Sequence, residues 1–535
     1  MNVTTHSFNR YRSVALSLAV ALTACADRDA RYELSMRTLA PVAAGNALVY
    51  VQPALARATV VDLSQATPAV RQVAVGDDPV LVQPRVAHDE ALVLSRGQRG
   101  SAGVAPAPAS LTAVTAAGAS RRWTLGSPFN ALSQNGDGRY VMAYFNNSAS
   151  AGRLLFNPNE VAIVDLDRAA ATGNPVVRTV RSFGGVPNGV VFSPRMTVAG
   201  EPRTLAVVLS DAYVTLLDLN HPERSEITVR LTLPEDARAI APAQVVFDTD
   251  NATMYLRADQ SNDLYVLRLV TVTPESATAN DFRPALNQLA AGVRPADLAL
   301  FGEATARKLL VVSPGSRDAR VIDTVANTTT VVPLDAVASR VLLFNGPSPR
   351  SATSELRALL YSTGGVASAV SFVELADIES RRSQNVETLQ LGRVINQALP
   401  LPERGMVMFG HPSSATGSLS LLDLGHRTAA PIFSEVALES ARFDDDRQAL
   451  WVAPRTGERL GYIELTNFRP GEIRLDAPIT DVIPVSGGTS RRVVALHDAA
   501  DGWITVVDGT DVTRERSRSL RGFLLTDLLD EGEAQ

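Results

Sequence analysis

Cysteine is nearly absent: Cys25 is the only one in 535 residues. A chain with a single thiol forms no internal disulfide and offers no cysteine cluster to a metal. Lysine is equally scarce. Lys308 stands alone, which leaves one candidate for a lysine Schiff base. Aromatic residues make up 5% of the chain, and tryptophan is limited to Trp123, Trp451 and Trp503. The six histidines (His6, His88, His221, His411, His426 and His497) do not pair at ligand spacing. A nucleophile elbow, a phosphate-binding Walker loop and an H-E-x-x-H zinc motif are all missing. No metal and no cofactor is expected, although a site assembled from sequence-distant residues is untouched by this test. The formal charge is -6 without a clustered basic excess, which argues against a nucleic-acid partner. Beyond the first 25 residues no run reaches eighteen uninterrupted apolar residues, so none reads as a membrane span. Long stretches of 3.6-residue amphipathic period are missing too, so crossover helices are not expected.

What is present begins at the N-terminus. Arg10 and Arg12 precede a short apolar core, Val14 to Leu22, which is too short to cross a bilayer stably. The core runs into Leu-Thr-Ala-Cys. This resembles the lipobox of bacterial lipoproteins. The resemblance implies a signal peptide over 1–24 and a lipid on Cys25. It further implies a tether over 25–45 and a membrane partner reached through the lipid. The residue after Cys25 is Ala26 rather than Asp. In lipoproteins of the enterobacterial type that pattern implies an outer membrane address.

The stretch ARFDDDRQALWVAPR, residues 441–455, sets three aspartates between two apolar runs. A calcium loop of the EF-hand kind starting at Asp444 would need glycine sixth and glutamate twelfth, where Ala449 and Arg455 stand. The aspartates therefore read as a turn between two strands. The same shape recurs in QVVFDTDNATMYLRAD, NALSQNGDGRYVMAY, VIPVSGGTSRRVVALH and, with a longer turn, GVVFSPRMTVAGEPRTLAVVLS.

A second signature marks a period. Apolar residues lead into an acidic one at Asp62, Asp165, Asp218, Asp323, Glu374, Asp423, Glu464 and Asp508. Weaker copies lie around Thr115 and Arg268. The spacing is about fifty residues, the mark of an array of supersecondary units. Each unit reads as four short strands, such as GVVFSP, LAVVLSD, AYVTLLDL and ITVRLTL. The carboxylate closing the third strand is expected to accept backbone N–H groups of the next turn. His221 and His426, three residues beyond two of these aspartates, read as turn residues.

The fold class expected is all-β: a β-propeller of four-stranded antiparallel blades over 46–529, with a tail at 530–535. About ten units form one large ring, with two smaller rings as the alternative. The first unit shows three strands. GFLLTDLL, residues 522–529, is expected to complete it as the inner strand and so close the ring. The FSP, FDTD and FDDD turns and the VVDL and LLDL strand ends resemble the YVTN-type and WD-repeat-like propellers of exported bacterial proteins. That likeness implies the fold and leaves function open.

Residues heading the inner strands are expected to crowd the channel mouth: Asp78, Asn130, Asn188, Gln244, Asp297, Arg340, Asn396, Glu439 and Asp481. They are read as a ligand- or peptide-binding rim. The insertions at 99–109, 146–159 and 346–355 could widen the contact surface. The leading expectation is a non-enzymatic, membrane-anchored binding or scaffold lipoprotein of the bacterial envelope, with a protein or envelope-ligand partner. The alternative is a propeller enzyme of lactonase or dehydrogenase type acting at the channel mouth. VPNGVVFSP is similar to the metal-holding strand of gluconolactonase-type propellers, by which Asn188 would be a ligand. The remaining ligands of that family find no match. The repeated tryptophan motif of quinone-dependent dehydrogenases is missing.

Overall fold

The computed structural model describes residues 37–525. The exceptions are 99–104, 147–156, 169–175, 180–186, 232–239, 349–350, 377, 381–384, 413–417, 434–437, 445–446, 455–456, 467–468, 486–491, 510–511 and 514–515. The signal, Cys25, most of the tether and the 530–535 tail lie outside the described residues. Ten four-stranded antiparallel sheets follow one another along the chain, each ordered inner to outer as the chain runs. They are the blades of a single ring, as the period implied. In blade 4 the long first turn forms its own hairpin, Met196–Val198 with Glu201–Arg203.

The residue pattern explains the packing. The two central strands of a blade are buried on both sides, so they read as unbroken apolar runs such as LAVVLS at Leu205–Ser210. Side chains alternate across a strand. In blade 3, Val141 and Ala143 join blade 2, while Tyr140, Met142 and Tyr144 join blade 4. Ten apolar clusters result, and each lies between two neighbouring blades. The core is therefore a circle of seams.

Nine of the ten signature residues end their third strand, and Arg268 lies inside the longer third strand Asp263–Thr271. Register holds them opposite the head of the second strand, as Asp62 opposite Ala47 and Asp423 opposite Met406. The expected turn bonds form. Asp323 Oδ1 accepts from Val325 N at 2.9 Å and Ala326 N at 2.7 Å. Asp423 Oδ1 accepts from Gly425 N at 2.8 Å and His426 N at 2.9 Å. Thr115, lacking a carboxylate, does the same through Oγ1 from Ala119 N at 3.0 Å. His221 and His426 lie in such turns, their rings against Glu201 and Asp423. Asp444 closes the first turn of blade 9, accepting from Arg447 N at 3.2 Å and Trp451 Nε1 at 3.3 Å.

Closure differs from expectation. The inner strand of blade 1 is Val42–Ala44, within residues assigned above to the tether, and the last blade ends on its own strand Arg518–Arg521. Gly522 to Leu525 add no strand to blade 1. They latch onto it with side chains and carbonyls instead. Phe523 meets Tyr50 edge-on with ring centroids 5.1 Å apart. Leu524 O accepts from Arg57 Nη2 at 3.3 Å and Gln52 Nε2 at 3.5 Å. Gly502 (φ +85°) allows this approach, since a Cβ there would lie 2.8 Å from Leu524 and 2.9 Å from Phe523. Phe523 and Leu524 are the plug of the closing seam, and 526–529 lie outside the described residues.

Candidate functional site

Antiparallel alternation sorts the connections onto two faces. One face holds the heads of the inner strands and the turns between second and third strands; it is called the mouth face below. The opposite face holds the acidic third-strand ends. All the expected rim residues stand at or beside inner-strand heads. Asn188, Gln244, Asp297, Arg340, Glu439 and Asp481 are within the first three residues of their strands; Asp78, Asn130 and Asn396 immediately precede theirs. The side chain of Glu439 lies outside the described set.

Register brings several of them together. Gln244 Nε2 of blade 5 donates to Asp297 Oδ1 of blade 6 at 2.6 Å. Asp297 Oδ2 accepts from Val341 N of blade 7 at 3.0 Å. Gln244 Oε1 also accepts from Arg257 Nε at 3.2 Å. Three blades are thus stitched at their heads through one carboxylate. Asp481 of blade 10 accepts from Arg442 Nη2 of blade 9 at 3.1 Å. Other rim residues bond within their own blade. Asn188 Nδ2 donates to Asp211 Oδ1 at 2.8 Å. Asn130 Oδ1 accepts from Asn146 N at 2.7 Å. Asp78 takes both Nε and Nη2 of Arg96, at 2.8 and 3.0 Å. Arg340 and Asn396 are exposed.

A further set escaped the sequence reading. The residue at or just beyond the end of the second strand reaches back to the connection entering its blade. Ser313 Oγ donates to Ala291 O at 2.7 Å. His411 Nδ1 meets Val394 O at 2.9 Å, and His497 Nδ1 meets Pro478 O at 2.8 Å. Both imidazoles are completed at Nε2 by a third-strand hydroxyl, Ser420 and Thr505, at 2.8 Å each. A carbonyl at Nδ1 makes that nitrogen the donor, so the neutral tautomer is fixed. Burial holds His497 below its ordinary pKa, with Arg521 adding to the effect and the Pro478 carbonyl opposing it. The only sequence cue was position: a polar residue directly after an apolar second strand.

The mouth face also carries bare apolar side chains. Val293, Val366 and Val394 are 45%, 66% and 36% exposed. The last two belong together, because Gly365 N donates to Ile395 O at 2.8 Å and Ile395 N to Ala367 O at 2.9 Å. Exposed Arg294, Arg393 and Asn396 flank them. Among the described residues no group of three His, Cys, Asp or Glu side chains converges to hold a metal.

No protein-family model and no curated protein matches the chain. Solved structures similar to it include the dihydro-heme d1 dehydrogenase NirN, 12% identical, with 81% of this chain and 74% of that one covered and a TM-score of 0.42. A putative 6-phosphogluconolactonase from Bacteroides fragilis is 10% identical over 73% of this chain and 96% of its own, with a TM-score of 0.32. The Swd1 β-propeller domain of Myceliophteria thermophila is 9% identical over 67% and 97%, with a TM-score of 0.26.

Proposed function

We propose that this protein is a non-enzymatic binding ring of the bacterial envelope, anchored in the outer membrane by a lipid on Cys25, which presents its mouth face to a protein or envelope-ligand partner. One observation carries the reading. The mouth face commits several of its polar side chains to its own wall, as in the Gln244–Asp297–Val341 stitch, while it leaves Val366 and Val394 bare beside exposed Asn396. A wall fixed in this way is preorganised, and exposed apolar groups beside arginines supply contact area. The anchor is supported by the N-terminal sequence. Among the described residues no helix is long and apolar enough to cross a membrane.

Two measurements test it. Labelling with a fatty-acid probe should mark the mature chain and vanish in Cys25→Ser. Affinity purification from detergent-solubilised envelope should return a stoichiometric partner that Val366→Asp/Val394→Asp loses without a change in melting temperature. Equal recovery by that variant would refute the assigned face. The enzymatic alternative has a starting point in the exposed Asn188–Asp211 pair. It predicts a calcium-dependent rise in melting temperature and lactone turnover, both lost in Asn188→Ala.

A further inference from the structure

On the face opposite the mouth, cations of one blade repeatedly meet carboxylates of a neighbouring blade. Arg85 of blade 2 bonds Asp167 of blade 3 at 2.9 Å. Arg203 of blade 4 bonds Asp281 of blade 5 at 2.5 Å. Arg307 of blade 6 reaches Asp248 of blade 5 at 3.4 Å. Lys308 pairs with Glu379, and Arg427 with Glu374 and Glu387. At the seam of blades 9 and 10 Arg447 Nη1 meets a carbonyl instead, Gly509 O, and the closing seam does likewise. There the arginines of blade 10 bond carbonyl oxygens of blade 1: Arg492 Nη1 to Leu63 O and Gln65 O (the latter 2.7 Å), and Arg518 Nη1 to Ala66 O at 2.5 Å.

These residues wall a cavity of about 430 Å³ lined by Ala66, Pro68, Arg492, Val506, Asp508, Arg516 and Arg518. Three guanidinium groups and one carboxylate line it. Arg492 is half-buried; desolvation and the like charge of Arg518 pull its pKa down, against the carboxylates of Asp508 and Asp62. Carbonyl oxygens accept hydrogen bonds but do not neutralise charge. Guanidinium forks match phosphate oxygens two at a time. A phosphate monoester carries about -1.5 to -2 at neutral pH, and its oxygens suit a lining rich in guanidinium groups. The volume falls within the usual range for a small-molecule site.

We infer that the cavity at the seam between blades 10 and 1 binds a phosphate monoester. Arg492 is held in place by blade 1 carbonyls, and Arg516 and Arg518 face it from the outer strand region of blade 10. The group has two sources, a soluble phosphate ester or a phosphatidate headgroup, and the test separates them. Melting temperature is followed against glycerol phosphate, with sodium chloride at matched ionic strength as control. The wild type should show a saturable rise with the phosphate ester and none with chloride. Affinity should fall at least tenfold in Arg516→Gln/Arg518→Gln. Both side chains are exposed, so folding should be retained; Arg518→Gln alone should give an intermediate loss. Vesicles with and without phosphatidate form the second arm. Headgroup-dependent binding that the double variant loses assigns the lipid source, and binding of the soluble ester alone assigns a free ligand. No response to either probe, or an undiminished response in the variants, overturns the inference.

Discussion

Phe523→Ala should open the ring at one place. The Phe523 side chain is 3% exposed and packs with Tyr50, Leu48, Val494 and Ile504 in the seam joining first and last blades. Truncating a buried phenylalanine costs about 3–5 kcal/mol. The lower end applies here, because the chain end can relax into the gap. About 3 kcal/mol corresponds to roughly a hundredfold rise in the opening equilibrium of that seam. Native-state hydrogen exchange reads it directly. Amides of Leu48–Val51 and Val493–Leu496 should exchange roughly a hundredfold faster. Those of Leu309–Val311, at the seam between blades 5 and 6, should keep their rates. Uniform acceleration in all blades would show that the ring opens only as a whole. An unchanged closing seam would show that Phe523 and Leu524 are not its latch. Either result refutes the reasoning.

Two more outcomes follow from buried charge. Arg203 is fully buried and bonds Asp218, itself inaccessible, at 3.1 Å, as well as Glu201 and Asp281. Arg203→Met should cost about 3–5 kcal/mol, since it strands the Asp218 carboxylate, and Arg203→Met/Asp218→Leu should recover most of that in urea melts. The Arg203 hydrogen bond also holds the Asp281 carboxyl down to about 2. Its contribution is present above the unfolded carboxylate range and is lost as pH falls toward 2; in Arg203→Met that acid step should move up toward ordinary aspartate values. His497 acts in the same direction at higher pH. Its folded pKa lies below the unfolded value of about 6.5, so the unfolded chain binds the extra proton. Stability should fall as pH drops below about 6.5, and His497→Gln should flatten that slope between pH 7.5 and 5.5.

Local features were legible in the sequence, and pairings at a distance were not. The acidic third-strand ends and the FDTD and FDDD turns form their bonds within two or three residues, so spacing alone revealed the blades and their number. Val42–Ala44 is three small or branched residues, too short a run to read as a strand even with the Gly45–Asn46 turn after it, whereas GFLLTDLL has a strand's composition. Phe523 and Leu524 are buried in a seam instead, and nothing local separates the two uses. The residues heading the inner strands were legible because register is periodic. Which rim residues bond one another was hidden, since Gln244 and Asp297 meet only after two blades have formed. The role of His497 depends likewise on Pro478 and Thr505 arriving from different strands.

Because the apolar clusters sit in the joints, no blade has an interior of its own. An excised blade would bare both flanks of its two central strands, so a shorter piece of this chain is sticky rather than merely unstable. Gene rearrangements that keep the circle intact would have to add or remove whole units and re-bend every joint to suit the new circumference. A protease that nicks a surface turn should leave a ring that still migrates as one body, its cut ends held by their neighbours on either side.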